Sequence, residues 1–199
     1  IRRKMHSLVF DAIGTRWQID IASEISEDKG HLLDAIIRER VELFDKTYSR
    51  FRRDSFVWKM SLKKGRYKLP KDAAPMFSLY HDLFRLTDGR FTPLIGQVLA
   101  DAGYDDVYSF RQKRIRKPLS WDEALSVEPA YLFLRQPVLL DFGACGKGYL
   151  IDIVGDILEE NGATSYCVDA GGDIRVRGER LRVGLENPDD CRQVIGVAY

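Results

Sequence analysis

The stretch LLDFGACGKGYLIDIVGDILEENGATSYCVDAGGDIRVRG, from Leu139 to Gly178, decides how the rest of the chain is read. The apolar run Pro137-Val138-Leu139-Leu140 predicts a short strand ending at Asp141, after which Gly143, Gly146 and Gly148 punctuate a tight turn. Ile151, Val154, Ile157 and Leu158 then recur at helical spacing as far as Asn161-Gly162, a good C-terminal cap. A second strand, Ser165 to Val168, stops at Asp169-Ala170-Gly171-Gly172-Asp173, and Ile174-Arg175-Val176-Arg177 alternates as a third. Two glycine-rich turns, each entered through an aspartate at a strand end, therefore flank one helix. Glycines let a ligand approach the backbone, and the N–H groups at a helix start favour phosphate.

Taken singly, either turn is ordinary chain punctuation. Two of them with matching aspartates and a lysine, Lys147, point to a binding site instead. The widespread nucleotide motifs do not fit it. Gly146-Lys147 is followed by Gly148 rather than Ser or Thr, and the first glycine of a P-loop is missing. Nor does a G-x-G-x-x-G follow a strand at the spacing of a dinucleotide fold, which leaves a different phosphate site or none.

Working outward, Leu8-Val9-Phe10 and then Trp17, Ile19 and Ile21 alternate around Gly14-Thr15, which reads as two strands or one broken strand. From about Lys29 to Tyr48 the apolar positions Leu32, Leu33, Ile36, Ile37, Val41, Phe44 and Tyr48 form the clearest helical stripe in the sequence. Ser55 to Lys68 is mixed. Lys71 to Leu86 is a second amphipathic helix, stopped at Asp88-Gly89. Thr92 and Pro93 suit the cap and first turn of a shorter helix over 94–102, which gives Thr92 a structural explanation. Ser120 to Glu123 begins a helical turn, Tyr131 to Leu134 is a strand running toward Asp141, and residues 181–185 and 194–199 alternate as further strands. Helices and strands mix without a regular βαβ alternation. The fold class expected is therefore α+β, with a mainly antiparallel sheet and packed helices.

The bulk properties exclude several classes. A chain of 199 residues, 45% hydrophobic, can bury a sizeable core. With 31 basic against 30 acidic side chains the net charge is +1, so no nucleic-acid partner is expected. Arg50-Phe51-Arg52-Arg53 and Arg111 to Lys117 are basic clusters read as solvated loops. Cys145, Cys167 and Cys191 are odd in number and lack a C-x-x-C pair, which argues against a disulfide framework or zinc site. Cys145 stands inside the first glycine turn, but a nucleophilic role for it is the less favoured reading. The apolar runs are too short to span a membrane, and membrane association is expected only through a removed N-terminal segment.

Asp141-Phe142-Gly143-Ala144-Cys145-Gly146-Lys147-Gly148-Tyr149, with Asp152 and then Asp169-Ala170-Gly171-Gly172-Asp173-Ile174, resembles the paired signature of the FAD:protein FMN transferases, the ApbE family. That signature runs close to D-L-G-x-x-A-K-G-Y-x-x-D, a helix, and N-A-G-G-D-I. Ile13-Gly14-Thr15 followed by Trp17 resembles the family's M-G-T-x-W opening, and Leu43 to Ser55 its segment around a flavin-contacting tyrosine. Gly89 to Pro93 resembles G-A-F-D-P, and Gly184 to Pro188 the strand and turn after the second loop. The resemblance implies a T-fold-related, ApbE-like single domain over residues 1–199, C-terminally incomplete.

The function it implies is transfer of FMN from FAD to a Ser or Thr hydroxyl of a target flavoprotein, with release of AMP and dependence on magnesium. The alternative is a non-catalytic ApbE-like module that binds flavin or a protein partner. By resemblance, Ile13, Tyr48, Arg90, Phe91, Thr92, Asp141 and Lys147 hold FAD, and the main-chain carbonyl of Ala144 binds the metal. A bacterial periplasmic or membrane-anchored location is implied, with the cytoplasm as the other possibility. Three departures stand out. Ile13 replaces Met and Thr92 replaces Asp. The family's later His-x-x-D-P-x-T-G and D-A-x-x-T segments, the second of which supplies side-chain metal ligands, do not occur in these 199 residues.

Overall fold

A computed structural model describes residues 5–178 and 180–198. In chain order the elements are β1 (His6–Ala12), β2 (Thr15–Ile21), α1 (Glu27–Tyr48), α2 (Phe56–Leu62), β3 (Gly65–Lys68), α3 (Ala73–Leu86), a 3-10 turn (Pro93–Ile95), α4 (Gly96–Asp101), α5 (Trp121–Ala124), β4 (Leu125–Glu128), β5 (Tyr131–Leu134), α6 (Gly146–Glu160), β6 (Tyr166–Ala170), β7 (Asp173–Arg177), β8 (Val183–Asn187) and β9 (Asp190–Ala198). Every strand pair is antiparallel, which with the packed helices makes the α+β class expected from the sequence. No helix among the described residues is long and apolar enough to cross a membrane.

The stripe on α1 behaves as its spacing requires: Leu33, Ile37, Val41, Phe44 and Tyr48 are all buried. Glu27 and Asp28 in its first turn and Lys46 in its last complement the helix dipole. The chain divides into two compact units, with the boundaries falling inside α1 and inside α6. The first comprises residues 1–37 and 151–199, the second residues 38–150.

In the first unit a four-stranded sheet has the order β1-β2-β6-β7. Its register sets buried residues against buried ones across the central pair: Trp17 faces Ala170, Ile19 faces Val168 and Ile21 faces Tyr166. Alternation with period two puts these side chains on one face, and Val154 and Leu158 of α6 are buried in the same unit. Arg175 on β7 joins sheet to helix by hydrogen bonds to Asp156 and Glu159, each 2.9 Å. β8 and β9 form a separate, exposed two-stranded hairpin.

In the second unit β3, β5 and β4 form a small sheet in that order. α3 supplies Ala73, Met76, Phe77 and Tyr80 to the core. Ser55 and Ser120 cap α2 and α5, each accepting from a backbone N–H three residues on. The strand expected over 137–141 is not formed. Two isolated backbone bonds hold that segment instead, Val138 N–H to the Met60 carbonyl at 3.1 Å and Asp141 N–H to the Pro93 carbonyl at 2.8 Å. An apolar run shows that a segment is buried, not that a ladder partner lies beside it. Val138, Leu140 and Phe142 are indeed buried. α4 passes so close to this segment that a Cβ at Gly96 would lie 2.4 Å from the Leu139 carbonyl oxygen.

Candidate functional site

The first glycine turn is built around Phe142. Its ring meets Tyr48, Phe77 and Tyr80 edge-on, at centroid distances of 5.4, 5.3 and 5.5 Å. This cluster anchors the chain so that Gly143 and Ala144 stay exposed while Gly146 opens α6. Asp141 then orients the turn: one carboxylate oxygen accepts the Gly143 N–H at 2.8 Å, and the other accepts from Arg50 Nε. The Cys145 N–H reaches the Tyr80 hydroxyl at 3.3 Å, and the Gly146 N–H the Phe142 carbonyl at 2.7 Å. The N–H groups of Gly143, Cys145 and Gly146 are thus satisfied within the protein.

Arg50 corrects the sequence reading. The basic cluster at 50–53 was expected to be a solvated loop, yet Arg50 is only 3% exposed. Its Nη1 donates to the Tyr104 carbonyl at 2.7 Å, and the Phe51 and Tyr104 rings flank the guanidinium at 4.1 and 4.7 Å. Nη2 is buried without a hydrogen-bond partner among the described residues. A buried donor left unpaired costs about 1–3 kcal/mol, so such a group calls for a specific explanation. No sequence signal marked this residue, because its burial depends on Asp141, 91 residues away.

Tyr48 ends α1 and is 6% exposed, with its hydroxyl donating to Asp72 at 3.1 Å. Asp72 also pairs with Arg40, and its backbone carbonyl accepts the Tyr149 hydroxyl at 2.7 Å. Burial and then the Asp72 charge push the Tyr48 hydroxyl well above the ordinary phenol range. Asp72 joins the end of α1 to the start of α3, and nothing in the sequence singled it out. Tyr48 accordingly serves this unit as a core pillar behind Phe142.

Thr92 is buried, and its hydroxyl accepts the Leu94 N–H at 3.1 Å, capping the 3-10 turn. Phe91 is half-buried against Tyr80, 5.4 Å between centroids, while Arg90 is exposed. Lys147 lies half-buried in the first turn of α6. The structure therefore gathers Tyr48, Phe91, Thr92, Asp141, Ala144 and Lys147 onto the connected elements of the second unit. The Cys145 thiol is pushed up by burial, which suits a packed side chain rather than a nucleophile.

Ile13 belongs to the first unit, at the two-residue turn between β1 and β2. Its φ is 44° and that of Gly14 is 78°. Positive φ at both positions is what such a hairpin turn demands. A β-branched residue there is strained, a state that elsewhere gathers at functional sites. Thr15 follows it, and a Cβ on Gly171 would lie 2.0 Å from the Thr15 hydroxyl. That close approach, with a φ of 67° at Gly171, favours glycine there and brings the second glycine turn against the first hairpin. Asp169 braces this second turn by accepting the Gly172 N–H at 2.9 Å. Asp11, Ala12, Gly14, Thr15 and Arg16 line an open depression beside Ile13.

Comparison with known proteins gives the family and the fold. The model of the ApbE family matches residues 13–199. An FAD:protein FMN transferase of Vibrio cholerae serotype O1 is 29% identical over 122 residues, 55% of this chain and 36% of that protein. Another, from Klebsiella pneumoniae, is 37% identical over 67 residues, 33% of this chain and 21% of that protein. The match thus spans about a third of the first of these relatives. Among solved structures, the flavin transferase ApbE from Vibrio cholerae superposes with a TM-score of 0.77 at 21% identity, over 93% of this chain and 64% of that one. The ApbE protein from Thermotoga maritima gives 0.78 at 20% identity, over 98% and 67%. At these identities the structures show a shared fold.

Proposed function

Because the chain belongs to the ApbE family, we propose that it binds FAD and serves in transferring FMN to a Ser or Thr hydroxyl of a target flavoprotein. The hydroxyl oxygen bonds to the phosphorus of the FMN half and loses its proton. The bond from that phosphorus to the AMP oxygen breaks, and AMP leaves. The observation that carries this reading is the turn over 141–147, fixed from below by Phe142 and from the side by the Arg50–Asp141 pair. It presents Lys147 at the start of a helix, where both the cation and the helix dipole favour phosphate. Asp141 orients the turn, and Tyr48 supports it through Phe142. Phe91 and Arg90 stand on the segment leading to the Thr92 cap, and Ile13, which the family resemblance also assigns to FAD, stands in a strained turn of the first unit.

Magnesium, which the family resemblance attaches to the reaction, is a poorer match to these side chains. Among the described residues no three His, Cys, Asp or Glu are grouped to hold a metal ion. Both carboxylate oxygens of Asp141 are already engaged, and Ala144 offers only its carbonyl. The described side chains do not form a magnesium site by themselves. A bacterial periplasmic or membrane-anchored location stays the proposed one, with the cytoplasm as the alternative, on the family resemblance alone.

The test is titration of the protein with FAD by calorimetry, then incubation with FAD, magnesium and a flavoprotein bearing an acceptor Thr, with AMP read by chromatography. Saturable FAD binding with AMP formation is expected. FAD bound without AMP in the presence of a competent acceptor would favour the non-catalytic flavin-binding module. Failure of FAD to bind would end the proposal.

A further inference from the structure

Arg50 presents a planar donor group of which one edge, Nε with Nη2, is shaped to grip a carboxylate through two parallel bonds. Here that grip is half made. Nε donates to one oxygen of Asp141, while Nη2 is buried and unpaired among the described residues. The second Asp141 oxygen, which would complete the fork, accepts the Gly143 N–H instead. Nη2 lies on the same edge as Nε, so the Asp141 carboxylate is the acceptor placed to reach it. Of the three satisfied N–H groups in the turn, Gly143's is the one whose acceptor has a second donor waiting.

We propose that Arg50 is a positioning residue that lets Asp141 change partners when ligand binds. In the free chain Asp141 bridges Arg50 and the Gly143 N–H. When a phosphate oxygen takes the Gly143 N–H, the released Asp141 oxygen closes onto Arg50 Nη2. The exchange leaves Asp141 with two hydrogen bonds and adds one to the ligand: the phosphate gains an amide donor, and the buried Nη2 gains an acceptor. It also explains why Arg50 is held on three further sides, by Phe51, Tyr104 and the Tyr104 carbonyl. A fixed fork can receive the carboxylate without moving. This inference rests on the FAD-binding reading above.

The direct test follows the Arg50 guanidinium and Gly143 amide signals by nitrogen-15 NMR during titration with FAD. The Arg50 Nη2 protons should shift downfield and exchange more slowly with water as the Gly143 amide shifts with saturation. A second measurement uses Arg50→Lys, which keeps the charge and a bond to Asp141 but cannot make the fork. Its FAD affinity should fall about tenfold, and Arg50→Ala should not bind measurably better than Arg50→Lys. If the unaltered protein binds no FAD, the site reading itself falls. If FAD binds while the Arg50 signals stay still, or Arg50→Lys binds FAD as tightly as the original, the exchange is refuted and the binding reading survives. Should Arg50→Lys fail to fold, the spectra of the unaltered protein decide alone.

Discussion

Replacing Tyr48 by Phe separates two roles that the same residue could play. The substitution removes one oxygen and keeps the ring, so the contacts with Phe44 and Phe142, 4.6 and 5.4 Å between centroids, persist. What is lost is a 3.1 Å hydrogen bond to a carboxylate that retains Arg40 as its partner. A hydrogen bond to a charged group contributes about 1.5–3 kcal/mol, and Asp72 is open enough to solvent to recover part of that. The expected loss is therefore about 1–2 kcal/mol, or roughly 2–8 °C in Tm for a chain of this size. The Tyr48 hydroxyl is raised away from its ordinary range, so it stays protonated at pH 7 in both states and no pH term enters. Thermal unfolding followed by circular dichroism at pH 7 gives the stability, and calorimetry gives the FAD affinity. A core pillar behind Phe142 loses stability and keeps FAD affinity within about twofold. If Tyr48→Phe binds FAD ten times more weakly with an unchanged Tm, the hydroxyl touches the ligand and the core assignment is wrong.

Ile13→Asn replaces a strained β-branched residue by one that accepts positive φ, and should stabilise the protein by about 0.5–1 kcal/mol in urea unfolding. If Ile13 also borders FAD, affinity drops in the same variant, a gain and a loss that a purely structural turn would not show together. Gly96→Ala would set a methyl group 2.4 Å from the Leu139 carbonyl, and a loss of about 1–3 kcal/mol is expected; an unchanged midpoint would mean that the 138–141 segment is free to move aside. Lys147→Ala should weaken FAD binding by about 1.5–3 kcal/mol while leaving riboflavin nearly unaffected, since only FAD brings phosphate; equal losses would make Lys147 part of the scaffold. Asp105 is held down from 3.8 to about 2, chiefly by the Ser109 N–H and hydroxyl, with the Val107 N–H and Lys113 adding to the effect. A lowered carboxylate contributes stability that is complete above pH 4 and lost as the pH falls toward 2. Protection of the residue 105–109 amides, measured against their unstructured exchange rate at each pH, should therefore fall over that window, and in Asp105→Asn it should no longer change across it.

What the sequence revealed about this protein divides according to the range of the interactions involved. The helical stripe of α1, the end of α6 at Asn161-Gly162 and the β6–β7 hairpin are written in spacing and in local turn chemistry, so they could be read directly. Thr92 as a cap and Asp169 as a brace are also local, each bonding a backbone N–H two or three residues on. Most of the failures involve distant partners. Residues 137–141 look like a strand because they are apolar, yet they are buried without a ladder, held by Met60 and Pro93. β4 is half exposed and carries too little pattern to announce itself. Arg50 looked solvated because it stands in a basic run, and Asp72 passed unnoticed between helices. Each acquires its role only when the fold brings its partner near: Asp141 for Arg50, and Tyr48 with Arg40 for Asp72. The glycine turns could be located from sequence, but the parts that hold them still could not. Arg50 is the case where this matters most, because the unpaired edge beside Asp141 exists only in three dimensions and carries a test that the motif alone would never have suggested.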